Sequence, residues 1–165
     1  MKILVLSDSH SGMSFMRYSI DRIKPDHIVH LGDHYDDAKA IAEQYPHIRV
    51  HQVPGNCDQF CRDPWAVETL NYDIGGVRFY MSHGHLHGVK SGNFRFVDAA
   101  AEAGAAVALY GHTHEAECFR TLEGLWVMNP GSCRSYGGSV GLICIENKEI
   151  SSCRILRQED IENLA

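Results

Sequence analysis

Residues 2–53 alternate short apolar runs with stretches of helical spacing, and this alternation constrains the fold more than any other feature of the chain. The run 2–6 (KILVL) is a buried strand that opens into the polar segment Ser-Asp-Ser-His. Met13, Met16, Ile20 and Ile23 then fall at helical spacing over 13–23, and Pro25 ends that helix. Ile28, Val29 and Leu31 mark a second strand stopped by Gly32-Asp33, residues 37–45 return to helical composition, and 48–53 (IRVHQV) form a third strand closed by Pro54-Gly55-Asn56. A βαβαβ order of this kind predicts parallel strands joined by right-handed crossovers.

After residue 65 the pattern changes. Runs 67–74 and 77–82 hinge at Gly75-Gly76, 116–121 and 124–128 around Glu123-Gly124, and 139–146 and 149–156 around Asn147-Lys148, which predicts three antiparallel hairpins. A helix at 93–103 and an apolar strand at 105–110 stand between the first two. Parallel and antiparallel strands with flanking helices in 165 residues predict one α/β domain, 1–165, made of two packed mixed sheets covered by helices.

The polar residues cluster where strands end. Asp8-Ser9-His10, Gly32-Asp33-His34, Gly55-Asn56-Cys57-Asp58, Ser82-His83-Gly84-His85 and Gly111-His112-Thr113-His114 each follow an apolar run. Ligands of open α/β sheets bind beyond the carboxyl ends of the strands, so five clusters in that position predict one shared crevice. In D-x-H and H-x-H, extended backbone would aim both side chains the same way, and the glycines before Asp33, Asn56 and His112 would allow sharp turns. The count of histidines, 11 in all, gains its meaning here, because imidazole with carboxylate matches Mn²⁺, Fe²⁺ or Zn²⁺ better than Ca²⁺ or Mg²⁺. So many donors suit two divalent ions sharing a carboxylate. His27, His30, His47, His51 and His87 lie outside the clusters and read as structural.

Charge and cysteines exclude several classes. A net charge of −6 gives no basic field for phosphate backbones or anionic lipid, so neither nucleic-acid nor membrane binding is expected, whereas a small anionic substrate is compatible because bound cations dominate a local site. Cys57, Cys61, Cys118, Cys133, Cys144 and Cys153 lack disulfide-framework spacing; they read as reduced thiols in a cytoplasmic protein without signal peptide or membrane span. Cys57 and Cys61 have no further pair of ligands nearby to complete a zinc clip. Ser132 of Asn129-Pro130-Gly131-Ser132 sits in a turn without the G-x-S-x-G context of a hydrolase nucleophile.

The ordered set D-x-H, G-D, G-N-C-D, H-G-H, G-H-x-H over residues 8–114 resembles the calcineurin-like metallophosphoesterase superfamily. The short chain, the G-N-C-D variant and the N-P-G-S turn look most similar to the small YfcE-type bacterial and archaeal phosphodiesterases. The resemblance implies a four-layer α/β/β/α sandwich and a dinuclear phosphoesterase, with manganese the expected metal ahead of Fe, Zn, Ni or Co. It assigns Asp8, His10 and His114 to one ion, Asn56, His83 and His112 to the other, and Asp33 to both. A hydroxide shared by the metals would attack the phosphorus of a small phosphoester, a diester before a monoester.

One position departs from the family. Its histidine after Asn, which protonates the leaving group, is Cys57 here, and a thiol is a poorer donor than imidazolium. Asn56, Cys57 and Asp58 are thus the expected catalytic segment, with His85 or His34 as a replacement acid, between which spacing does not choose, and His34, Asn56 and His85 as phosphate contacts. The same departure supports an alternative, a protein-binding scaffold of this fold with weak or no catalysis, like the retromer subunit that shares it. A homo-oligomer is compatible with either.

Overall fold

In the computed structural model, which describes residues 1–164, two five-stranded sheets pack face to face. The first holds β1 (Lys2–Leu6), β2 (His27–His30), β3 (Arg49–Gln52), β9 (Val140–Glu146) and β10 (Glu149–Leu156), in the order β10-β9-β1-β2-β3. The second holds β4 (Thr69–Ile74), β5 (Val77–Ser82), β6 (Val107–Leu109), β7 (Glu117–Arg120) and β8 (Trp126–Asn129), in the order β4-β5-β6-β8-β7. β1, β2 and β3 run parallel, as do β5, β6 and β8, and the three expected hairpins are present.

Layering follows from the period of the strands. On β1, Ile3 and Val5 face the inter-sheet core with Val29, Phe79, Met81, Val107 and Leu109. Leu4 and Leu6 face the other way, onto Phe15, Met16 and Ile20 of α1 (Met13–Ile23) and Ile41 of α2 (Tyr35–Gln44). A strand buried on both faces must be apolar at every position, and KILVL is so after its first residue. Ala108 and Val127 carry α3 (Phe94–Glu102) through Phe96 and Ala100 on the outside of the second sheet, completing four layers. Sequence reasoning passed over the one-turn segments His85–His87 and Val89–Ser91 and a short terminal helix, α4 (Gln158–Glu162), which are too brief to show periodicity.

Polar side chains meet where the two sheets meet at their edges. The His27 and His51 rings share a 2.9 Å hydrogen bond, and His51 also bonds the Tyr72 hydroxyl of β4. At the other edge Cys118 of β7 and Cys153 of β10 bring their thiols within 3.4 Å, so the close cysteine pair lies 35 residues apart and is not Cys57 with Cys61. All six cysteines are free thiols, and among the described residues no helix is long and apolar enough to cross a membrane.

Phe79 is fully buried at the centre of the inter-sheet core. Phe79→Ala should cost about 3–5 kcal/mol, read as a lower urea midpoint with an unchanged slope.

Candidate metal centre

Because the parallel strands of both sheets end at one edge, the turns after β1, β2, β3, β5 and β6 converge there. Main-chain bonds fix their register: Asp8 N–H donates to Gly32 O at 3.0 Å, and Gly111 N–H to His83 O at 3.0 Å. Across the interface between sheets, His83 Nδ1–H donates to Leu31 O at 2.6 Å.

The ligand-bearing turns are not extended. Asp8 (φ 54°), His10 (43°), Asp33 (56°), His112 (69°) and His114 (61°) all occupy the left-handed region. D-x-H and H-x-H therefore converge through tight turns and not through strand alternation, the expectation from sequence. Side chains in this region are strained and persist where the surroundings over-determine them. The glycines have separate reasons. Gly32 needs its φ of 97°, whereas a Cβ on Gly55 would lie 2.2 Å from Asp33 Oδ1 and one on Gly111 2.0 Å from Ser7 Oγ. Those two are glycine because the Asp33 carboxylate passes against the first and the Ser7 hydroxyl, with Asp8 behind it, against the second.

All seven expected ligands come together, in two groups that share Asp33. One atom each of Asp8, His10, Asp33 and His114 falls within a single 4.8 Å cluster. His10 Nε2 is 3.4 Å from His114 Nε2 and 3.8 Å from Asp33 Oδ2, and His114 Nε2 is 3.1 Å from Asp8 Oδ1. In the second group His83 Nε2 lies 3.1 Å from Asn56 Oδ1, 3.2 Å from His112 Nδ1 and 3.5 Å from Asp33 Oδ1. Asp33 thus turns one oxygen to each group, and Oδ1 also accepts the Cys57 N–H at 2.9 Å.

The donor set fits divalent cations on three observations. Asp8 is fully buried, and its Oδ1 has no hydrogen-bond donor in line, while Oδ2 accepts from the Ser7 hydroxyl and from His112 N–H. The Leu31 contact fixes His83 with its proton on Nδ1, leaving the Nε2 lone pair aimed at the other donors. Burial then favours the neutral form of the His83, His10 and His112 rings. It lowers His83 to about 4 and also lowers His10 and His112, with cationic neighbours adding to the effect at His10 and Asp33 opposing it. Burial pushes Asp8 up to about 6, whereas at Asp33 the Cys57 N–H and the neighbouring rings outweigh burial and hold the carboxyl below its usual range. Nitrogen and oxygen donors that face one another this closely are what a cation would join.

Around the ligands, Ser9 Oγ meets His30 Nε2 at 3.0 Å and donates to Asp37 Oδ2 at 2.7 Å. Asp37 also accepts the Ser11 N–H at 2.8 Å, holding the turn that carries His10. Buried Asn129 donates to Gly111 O at 3.0 Å and Thr113 Oγ1 at 2.9 Å, so it clamps the turn that carries His112. Sequence reasoning missed Ser7, Ser9, Asp37 and Asn129 as supports. Their signal was only adjacency to a motif, or a polar residue closing an apolar strand.

The remaining candidates separate. His34 sits beside the first group, its ring 5.3 Å from that of His10, and bonds Ser11 Oγ at 3.0 Å. His85 sits beside the second, 5.4 Å from the His83 ring and 3.9 Å from Glu68 Oε2, and its Nδ1 has no hydrogen-bond partner among the described residues. The exposed Cys57 thiol stays protonated at neutral pH, because burial of the sulfur and the Asp33 carboxylate raise it. Asp58 is engaged with backbone. Its Oδ1 accepts N–H groups of His34 and Tyr35 at 2.9 and 2.8 Å and its Oδ2 that of Gly55 at 2.7 Å, so both oxygens hold backbone.

Two mixed sheets between helices, with Asp, Asn and His donors gathered at one edge, define a metallophosphatase-like protein. The profile of the calcineurin-like phosphoesterase superfamily domain matches residues 1–148. The chain is 32% identical over 137 residues to the probable metallophosphoesterase YsnB of Bacillus subtilis, covering 81% of this chain and 76% of that one. The crystal structure of a predicted phosphoesterase from Streptococcus pneumoniae superposes with a TM-score of 0.74 at 26% identity, over 96% of this chain and 90% of the other. Zinc-complexed Vps29 of Entamoeba histolytica shares the fold, with a TM-score of 0.71 at 20% identity over 94% and 97% of the two chains. The chain belongs to the calcineurin-like phosphoesterase superfamily.

Two outcomes follow from this geometry. Gly111→Ala drives a methyl into Ser7 and the Asp8 carboxylate, and should weaken metal affinity by about 10–100-fold, as loss of a ligand's support does, in a calorimetric metal titration. In metal-free protein, burial holds His30, His51 and His83 at about 4, so unfolded chains bind protons that folded ones do not between about 6.5 and about 4. Asp8, raised to about 6, acts in the opposite sense with one group against three. Stability should therefore fall as pH drops through that window, by a few kcal/mol on the order set by linkage, in urea melts at stepped pH.

Proposed function

We propose that the protein is a dinuclear metal-dependent phosphodiesterase whose leaving-group assistance is weak. The observation that carries this reading is Asp33, which offers one carboxylate oxygen to each of two donor groups. When bound, two divalent ions supply Lewis-acid charge to a phosphoryl group and lower the pKa of the attacking water. Asp8, His10 and His114 would hold one, Asn56, His83 and His112 the other, and manganese leads Fe, Zn, Ni or Co as the expected occupant.

The chain's own residues do the rest. Left-handed turns keep the donors in place before substrate arrives, and His34 and His85, one beside each group, are placed to donate to phosphoryl oxygens. Open clefts flank the centre on both sides, about 400 Å³ beside Asn56 and His85 and about 550 Å³ beside His114. A phosphate with two ester arms matches that symmetry better than one with a single arm. Cys57, next to Asn56, brings a neutral thiol where an imidazolium would bring both a proton and a positive charge, so departing oxygens that need a proton leave slowly.

Cys57 also favours the second reading, a protein-binding scaffold, and the shared fold of Vps29 is compatible with it. The complete ligand set favours the enzyme, since a scaffold has no need to retain it.

With added Mn²⁺ the protein should hydrolyse bis-p-nitrophenyl phosphate and lose that activity to a chelator. Two bound equivalents of metal by calorimetry without turnover would sink the enzyme and leave the scaffold. Cys57→His should raise kcat on alkyl diesters by roughly tenfold to a hundredfold while changing activated esters little, the signature of a restored general acid.

A further inference from the structure

The two clefts beside the metal centre differ in charge. The one beside Asn56 and His85 is lined by Asp58, Asp63 and Glu68. The one that begins at His114 carries Arg134 and Arg157, with Ser132 and Ser135 between them. In a chain of net charge −6, two arginines on the wall of the reaction cleft call for a reason. Neither guanidinium forms an ion pair among the described residues, although Glu115 lies on the same wall.

The segment bearing Arg134 is registered to the metal ligands. Ser132 Oγ donates to the carbonyl of Asp8 at 2.8 Å, and Ser139 Oγ to that of Pro130 at 2.6 Å. Gly12, in the turn after His10, presses against the same segment so closely that a Cβ there would lie 1.8 Å from the Arg134 carbonyl. On its outer side Tyr136 packs against Phe15 and Tyr18 of α1, with ring centroids 5.4 and 5.6 Å apart. The backbone that carries Arg134 is thus held against the turn of the first ligand group on one side and α1 on the other.

Resting on the phosphodiesterase reading, we propose that the Arg134–Arg157 cleft binds a second, non-reacting phosphate of the substrate. Guanidinium forks match the oxygens of a phosphate, and two of them balance a dianion, with the Ser135 hydroxyl on the same wall as a further donor. The substrate class is a phosphodiester in which one esterified alcohol also carries a terminal phosphate. That arm occupies the arginine cleft, and the other departs on the side of Asn56 and Cys57. Hydrolysis breaks the P–O bond to the departing arm, whose oxygen takes a proton from water while the water oxygen stays on phosphorus; the terminal phosphate is untouched.

A matched pair of esters tests this: thymidine 5′-(p-nitrophenyl phosphate) and its counterpart with an added 3′-phosphate. The Mn²⁺-loaded protein should favour the 3′-phosphorylated ester by about tenfold or more in kcat/KM, the scale of a charge-assisted contact, and the preference should fall toward one in Arg134→Gln and Arg157→Gln. Independently of turnover, inorganic phosphate titrated into chelator-treated protein should bind with measurable heat, and about tenfold more weakly in either variant. Equal use of the two esters by the unaltered protein, or a preference that survives both substitutions, overturns the subsite and leaves the phosphodiesterase standing. Failure to turn over either ester overturns the phosphodiesterase itself, and the phosphate titration then still decides whether the arginines form an anion site.

Discussion

The Asp33 carboxylate is the point on which this structure turns. It sits where β2 ends, at the edge shared by two sheets, and its two oxygens face two different sets of nitrogen and oxygen donors. Three separate constraints keep it there: a left-handed φ of 56°, the Cys57 N–H on Oδ1, and the missing Cβ of Gly55. The first belongs to the loop after β2 and the other two to the loop after β3. A carboxylate at the junction of two sheets can be shared only if both sheets hold their registers, so the packing of Ile3, Val5 and Val29 against Phe79, Met81 and Leu109 is also the positioning of the centre.

That arrangement is held at a cost in free energy. Five of the seven expected ligands adopt a backbone conformation that side chains disfavour, Asp8 keeps an unbonded carboxylate oxygen in the interior, and imidazole nitrogens crowd to within 3.4 and 3.2 Å of one another. A protein retains such features when the surrounding packing outweighs them or when a ligand relieves them. Here both hold. Helices α1 and α2 and the second sheet cover β1 on its two faces, and one cation at each donor group would satisfy Asp8 Oδ1 and the His10 and His114 rings in the first, and Asn56 and the His83 and His112 rings in the second. The supports from Ser7, Asn129 and the Ser9–His30–Asp37 group have the same sense: each fixes a turn whose relaxed conformation would point a donor elsewhere.

Much of this was legible in the chain because two periodicities agree. The apolar run 2–6 and the helical spacing of 13–23 locate β1 and α1, and the polar residues immediately after each strand could only gather at a carboxyl edge. The five clusters that hold all seven donors were located that way, and the resemblance to the family singled the seven out of them. What sequence could not show were relations across loops. Asp58 reads as part of the Asn56-Cys57 motif but caps α2 through the backbone of His34 and Tyr35, a contact 24 residues distant. Gly55 and Gly111 read as turn formers but are small because a carboxylate and a serine pass beside them. Arg134 and Arg157 lie far apart in sequence and face one cleft only because β9 and β10 return the chain to the same edge.

Cys57 and the two arginines bear on the same physical question, which is where positive charge sits around a phosphoryl group. In a centre with an imidazolium after Asn56, part of that charge would lie beside the departing oxygen and move with the proton it donates. The thiol removes it, and burial with Asp33 beside the sulfur keeps that thiol neutral and not anionic. Arg134 and Arg157 restore positive charge on the opposite side of the ligand cluster, fixed and without a proton to give. Such charge attracts and orients an anionic substrate but does nothing for a departing alkoxide. On the proposed reading the two changes would act in one direction: discrimination between substrates would rest on binding the retained arm, and chemical assistance to the departing arm would fall mainly to bound metals.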